Sequence, residues 1–166
     1  SSSGGERGVF TCVTKAAEAA NDAHLRLKKL GVQGRAKVIE IVKGLAVANA
    51  EPWGKFEFEE TKIGRLDHKI AKLELIPKVL GVESLKTQAR SDASGLCVIE
   101  RAPWGVIGMV LPVTHSVPTM ASNAINVLAG GNTAIFSAHP SGANCARHAI
   151  RTFNQEIERE MGIQNA

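Results

Sequence analysis

The sequence predicts an α/β chain in which a run of helices precedes the first β-α-β-α portion of an open parallel sheet. Three observations carry this. Apolar residues recur at helical spacing over residues 10–93. The period changes near Ser94, where β-branched residues gather in GLCVIERAPWGVIGMVLP. Two apolar runs, GVIGMVL and TAIFS, are each followed by a polar corner and then by a new helical pattern.

The elements follow in order. SSSGGERG reads as a flexible polar stub, residues 1–9, a linker or a remnant. From Val13, the positions Ala16, Ala17, Ala20, Ala23 and Leu27 mark one helix, with Thr14 as its expected N-cap and Gly31 as its stop. A second spans Arg35 to Glu51, with Val38, Ile41, Val42 and Leu45 on one face. Pro52 suits the first turn of a third, running through WGKFEFEETK until Gly64 breaks it. LDHKIAKLELIPKVL forms a fourth from about Asp67. These helices are expected to pack antiparallel and to carry no chemistry, with His24 and His68 as surface residues.

Residues 94–104, with APWG at a bend, read as a separate strand. Residues 105–166 then form the βαβα unit. Gly105 to Leu111 is apolar at nearly every position, the pattern of a strand covered on both faces. A helix from Val117 to Ala129 buries Met120, Ala121, Ala124, Val127 and Leu128, and GGN ends it. TAIFS is the second strand, and a last helix runs from Ser141 to Met161. Its apolar side, Ala146, Ile150, Phe153 and Ile157, is expected to lack a full partner layer, so the domain reads as truncated.

Composition narrows the function. The chain has 166 residues, 44% hydrophobic and 22% charged, with a net charge of +4 spread among acidic residues. Mixed charge of that kind is solvated helix surface rather than a nucleic-acid footprint. No apolar run approaches the roughly 18 residues of a membrane span. Cys12, Cys97 and Cys145 are widely spaced, with no CxxC pair and no histidine at ligand spacing. This points to no metal site and a reducing compartment, and each cysteine reads as a small buried hydrophobe.

Ligands of open parallel sheets bind beyond the carboxyl ends of the strands, where loops lead into helix N-termini. Two corners qualify: LPVTHS, with Pro112, Val113, Thr114 and His115, and SAHPSGA, with His139, Pro140 and Gly142. Neither contains a glycine-rich diphosphate fingerprint. On local grounds, the two histidines could simply satisfy backbone groups. The helix N-termini could equally offer free N–H groups to an anion or to a cofactor's polar edge.

ERAPWGVIGMVLPVTH, INVLAGGNTAIFSAHPSGA and the upstream EETKIGRLDHKIAK resemble the N-terminal portion of CoA-acylating aldehyde dehydrogenases. The propionaldehyde and acetaldehyde enzymes of bacterial microcompartments are the nearer kin. The aldehyde half of bifunctional alcohol/aldehyde dehydrogenases is a more distant one. The likeness runs from Gly8 to Ala166, and the phrase FSxHP marks the acylating branch, where ordinary aldehyde dehydrogenases carry Lys-Pro. The resemblance implies an aldehyde-dehydrogenase-like fold with a Rossmann-like unit and NAD or NADP as cofactor. CoA would be co-substrate and a small aldehyde the substrate. It further implies a homo-oligomer in the bacterial cytoplasm, inside a microcompartment or associated with its shell, with no nucleic acid or membrane as partner.

By the same resemblance, His139, Pro140 and Gly142 face the adenosine ribose, with Pro112, Val113 and Thr114 beside the cofactor. His115 takes the place of the family's oxyanion-stabilising Asn, a departure that changes geometry and protonation, and Ser116 replaces the usual Pro. The family's nucleophilic Cys and remaining cofactor-domain strands lie beyond residue 166, so these residues alone are expected to be inactive. Two alternatives stay open: a non-catalytic assembly module of the same fold, since GLCVIER resembles the family's oligomerisation arm, and the bifunctional enzyme's aldehyde half.

Overall fold

In the computed structural model, which describes residues 5–165, five helices and two separate two-stranded sheets build the chain. Helix α1, Val13–Ala48, is broken at Gly31, whose φ of 64° and ψ of −159° end the first helical run. A glycine takes that left-handed φ without steric cost. Cys12, not Thr14, is the N-cap, and its side chain makes no capping bond. Helix α2, Ala50–Thr61, carries Pro52 in its first turn. Helix α3, Leu66–Glu74, stops earlier than its apolar pattern suggests. Pro77 disfavours helical backbone in the residue before it, and Ile76–Lys78 becomes a single 3-10 turn.

Strands β1, Gln88–Asp92, and β2, Gly95–Ile99, form an antiparallel hairpin, with Gln88 opposite Ile99. Sequence reading misses β1 because QARSD has no β-branched or aromatic residue. Strand β3, Val106–Leu111, pairs in parallel with β4, Thr133–Ala138, through helix α4, Ser116–Ala129. Asn132 fixes the entry to β3, its Oδ1 accepting from the N–H groups of Trp104 and Gly105 at 2.6 and 2.9 Å. Helix α5, Ala143–Met161, closes the unit after a 3-10 turn at Pro140–Gly142.

One continuous core joins the helices to the parallel sheet. Leu27, Val38, Ile39 and Val42 of α1 pack with Val117, Met120, Ala121 and Ile125 of α4, all 2% exposed or less. At the far end of α4, Arg35 donates to the carbonyl of Ala129 at 3.0 Å, a cation where the helix dipole is negative.

Four expectations need correction. Helix α5 has a partner layer: Ala146, Phe153 and Ile157 are buried, and Phe153 meets Trp53 edge to face at 5.3 Å. The N-terminal helices supply the layer that strand counting overlooked. Strand β3 is not covered on both faces, since Val110 is 81% exposed. Residues 1–4 of the expected stub lie outside the described residues, but Glu6–Val9 form a turn held to α5, with Arg7 donating to Gln155 at 2.8 Å. His24 is half-buried rather than a plain surface residue, while His68 is exposed.

Candidate functional site

The parallel register brings the two corners together. Leu111 sits opposite Ala138, so the loops Pro112–His115 and His139–Gly142 leave the sheet side by side. A Cβ placed on Gly142 would lie 3.6 Å from Ser116 Oγ and 3.9 Å from the carbonyl of Val113. Pro112, Val113 and His115 are half-buried, Gly142 is buried, and Thr114, His139 and Pro140 are exposed.

The two imidazoles sit differently. His139 Nδ1 accepts the N–H of Ser141 at 3.1 Å, and its carbonyl accepts the N–H of Gly142 at 3.0 Å. An accepting Nδ1 places the proton of the neutral ring on Nε2, leaving one donor at the exposed rim. His115 is the N-cap residue of α4, with Nδ1 2.7 Å from Thr114 Oγ1. Burial, then the charge of Lys72, draws its pKa below the ordinary histidine value, against a smaller opposing pull from Glu57. The neutral ring is thereby favoured at pH 7.

Beneath these corners lies a polar assembly that sequence reading passed over. Glu57 of α2 is fully buried, and its Oε1 accepts from Ser116 Oγ at 2.8 Å and from the N–H of Val117 at 3.1 Å. Lys69 of α3, 2% exposed, donates from Nζ to the carbonyl of Thr114 at 2.8 Å. Its Nζ also lies 3.3 Å from Glu57 Oε2, a charge contact without hydrogen-bond geometry. One turn along α2, Glu60 accepts the N–H groups of Asn144 and Cys145 at 2.9 and 2.7 Å. Burial pushes the Glu60 pKa up, but those two N–H donors outweigh it and hold the carboxyl below its usual range.

The helix N-termini are thus not free for an anion, as the sequence suggested. Side-chain carboxylates from α2 already occupy both, satisfying orphan N–H groups and meeting the positive dipole ends. The N-terminal helices, expected to be chemically silent, build the floor of the site. A signal existed. Glu57 falls four residues after buried Trp53 and four before buried Thr61, a charge on an otherwise interior stripe. Lys69 stands in the same relation to Leu73.

The three cysteines differ: at the start of α1 the backbone N–H groups of Lys15 and Thr14 draw the Cys12 thiol pKa below its ordinary value. Cys145 is buried, as expected, and burial pushes its pKa up to about 12. Cys12 and Cys97 are exposed, contrary to expectation, on the first residue before α1 and on the hairpin. Among the described residues no cluster of ligating side chains suits a metal, and no helix is long and apolar enough to cross a membrane. A cavity of about 310 Å³ runs along β4 and is lined by Met120, Phe136, Arg147 and Asn154, but neither histidine borders it.

No protein-family model matches the chain. It is 35% identical over 162 residues to an acetylating acetaldehyde dehydrogenase of Bilophila wadsworthia, covering 97% of this chain and 33% of that one. Its backbone is similar to a propionaldehyde dehydrogenase from the fucose-utilisation bacterial microcompartment of Clostridium phytofermentans. That match has a TM-score of 0.92 at 35% identity, over 96% of this chain and 37% of the other. An engineered glycolyl-CoA reductase with bound NADP+ gives a TM-score of 0.91 at 31% identity, again over 96% and 37%. The chain spans about a third of the length of these relatives. Sequence pattern, βαβα topology and backbone agree, and over nearly all its length this chain is a homologue of the CoA-acylating acetaldehyde and propionaldehyde dehydrogenases.

Proposed function

We propose that the chain is the nicotinamide-cofactor-binding part of a CoA-acylating aldehyde dehydrogenase. The complete reaction would convert a small aldehyde, CoA and NAD(P)+ into acyl-CoA, NAD(P)H and a proton. The observation that carries this reading is the His139 corner. Its Nδ1 is engaged by Ser141, so Nε2–H is the group presented where an open parallel sheet receives ligands. That donor suits a ribose hydroxyl, and Pro140 fixes the turn that holds it. The pre-filled helix N-termini do not suit a wrapped diphosphate, in keeping with the missing glycine fingerprint. The residues therefore fit the adenosine-ribose end of the cofactor, with His139, Pro140 and Gly142 against it and Pro112, Val113 and Thr114 alongside.

A bound nicotinamide supplies the hydride acceptor. The neighbouring loop would supply charge stabilisation. With the Thr114 hydroxyl donating to Nδ1, neutral His115 carries its proton on Nε2 and can donate it to a carbonyl oxygen that gains negative charge. Its depressed pKa favours this neutral donor over the imidazolium near pH 7. Titrating NAD and NADP into the chain, followed by ligand-observed NMR, tests the assignment. His139→Ala should weaken binding by about 1 kcal/mol, the net worth of one hydrogen bond, while His115→Ala leaves affinity nearly unchanged. Equal affinity of the parent and the His139→Ala variant would defeat it.

A second role concerns self-association. Every residue of the β1–β2 hairpin is exposed, including Leu96 at 71% and Val98 at 54%. Such a ribbon gains by pairing its free edge with another copy. A homo-oligomer joined in this way, in the cytoplasm or within a microcompartment like that of its relatives, is the assembly we propose. The pairing would add oligomer contacts without itself doing chemistry.

A further inference from the structure

The buried pair beneath the site has a role beyond holding helices together. We infer that Glu57 and Lys69 are positioning residues that set the backbone of Thr114–Val117 and thereby the placement of the His115 ring. This rests on the proposed role of His115 only for its catalytic meaning; the geometry stands by itself. Glu57 Oε1 gathers two donors from the first turn of α4, and Lys69 Nζ grips the carbonyl of the residue before His115. His115 is thereby bracketed, its predecessor held by one member of the pair and its two successors by the other.

The arrangement is more than ordinary capping. A helix start is usually capped by a neighbouring Ser, Thr, Asp or Asn side chain. Here His115 occupies the N-cap position and makes no such bond. The capping group comes from a residue 59 and 60 positions away in sequence. The next residue, Pro118, has no N–H to offer, and Oε1 of Glu57 takes the Ser116 hydroxyl and the N–H of Val117. Both charges are removed from water, and buried ion pairs of this kind are weak evidence of stabilisation, because apolar residues of similar volume often do as well. What apolar residues could not do is hold Thr114 O and Val117 N at fixed points. The device leaves the imidazole free of a cap and its Nδ1 fixed by Thr114.

The pair also faces the ring electrically. Glu57 of α2 favours the imidazolium, and Lys69 and Lys72 of α3 oppose it. The swap Glu57→Leu with Lys69→Met tests the inference, using NMR of the chain without any cofactor. A purely structural pair predicts unchanged melting temperature and unchanged amide exchange at Val117. A positioning pair predicts an intact fold, faster exchange at the Val117 amide and loss of the Thr114–His115 coupling. Should the swap fail to fold, Glu57→Gln keeps the acceptor oxygen and removes only the charge. Its His115 midpoint should fall below that of the parent, while Lys72→Met raises the midpoint without disturbing Val117. An undisplaced His115 midpoint in Glu57→Gln, or a swap variant with parental exchange at Val117, overturns the inference. Neither readout involves NAD, so failure of the cofactor assignment would show separately in the His139→Ala titration.

Discussion

The two ends of strand β3 contrast sharply. At its carboxyl end polar side chains of α2 and α3 engage both corners: Glu57 with Ser116 and Val117, Lys69 with Thr114, Glu60 with Asn144 and Cys145. At its amino end the chain arrives from a hairpin with no buried residue, past Trp104 at 92% exposure. One end is finished within the chain. The other has apolar side chains and strand edges that the fold does not use. The difference teaches how to read exposure here. Buried polar groups with satisfied partners mark a site shaped in advance, whereas exposed apolar ones mark a surface shaped for contact.

The contrast is broken most severely by leaving one member of the buried pair alone. Lys69→Met strands the Glu57 carboxylate in the interior and should cost about 3–5 kcal/mol. A urea midpoint close to that of the parent would show the carboxylate reaching water. This loss should far exceed that of the apolar double swap, since the swap leaves no orphaned charge.

Glu60 gives a smaller and pH-dependent effect. Glu60→Ala removes the α5 cap and should cost about 1 kcal/mol at neutral pH. Its folded pKa lies below the unfolded carboxyl value of 4.5. The contribution is therefore complete above that value and is lost as pH falls through the folded pKa. Parent and variant melting curves should converge in acid. Persistent separation below that range would mean that the loss at neutral pH arises from packing, not from the ionised cap.

At the opposite end of β3, Leu96→Lys should change stability by no more than about 0.5 kcal/mol, as for other exposed positions. Self-association should nevertheless weaken, measured by sedimentation at several concentrations. An unchanged sedimentation profile in a chain that does associate would place the contact elsewhere. The smallest effect is chemical. Cys12 and Cys97 should react with a thiol reagent at neutral pH, while Cys145 stays unmodified until denaturant is added.

Much of this organisation is legible in local pattern. The period change near Ser94, the two apolar strands and the GGN stop after α4 come from spacing and turn residues, which act within a few positions. The corners at His115 and His139 follow from strand order alone, because loops at the carboxyl edge of adjacent parallel strands must be neighbours. The polar strand Gln88–Asp92 was not legible, since its pairing comes from Gly95–Ile99 and not from its own propensities. Nor was the partner layer of α5, supplied by helices far earlier in the chain.

The sequence by itself determined the order of the helices, the βαβα core and the positions of both histidines, since these depend on periodicity and on chain connectivity. Only the tertiary structure decided that Glu57, Lys69 and Glu60 lie under the site. Their hydrogen bonds span 45 to 85 positions, and no local rule distinguishes a glutamate that will cap a distant helix from one that will face water. The physical reason is that burial of a charge is tolerable only where partners from other elements converge. That convergence is a property of the packed helices, not of the segment on which the charge is written.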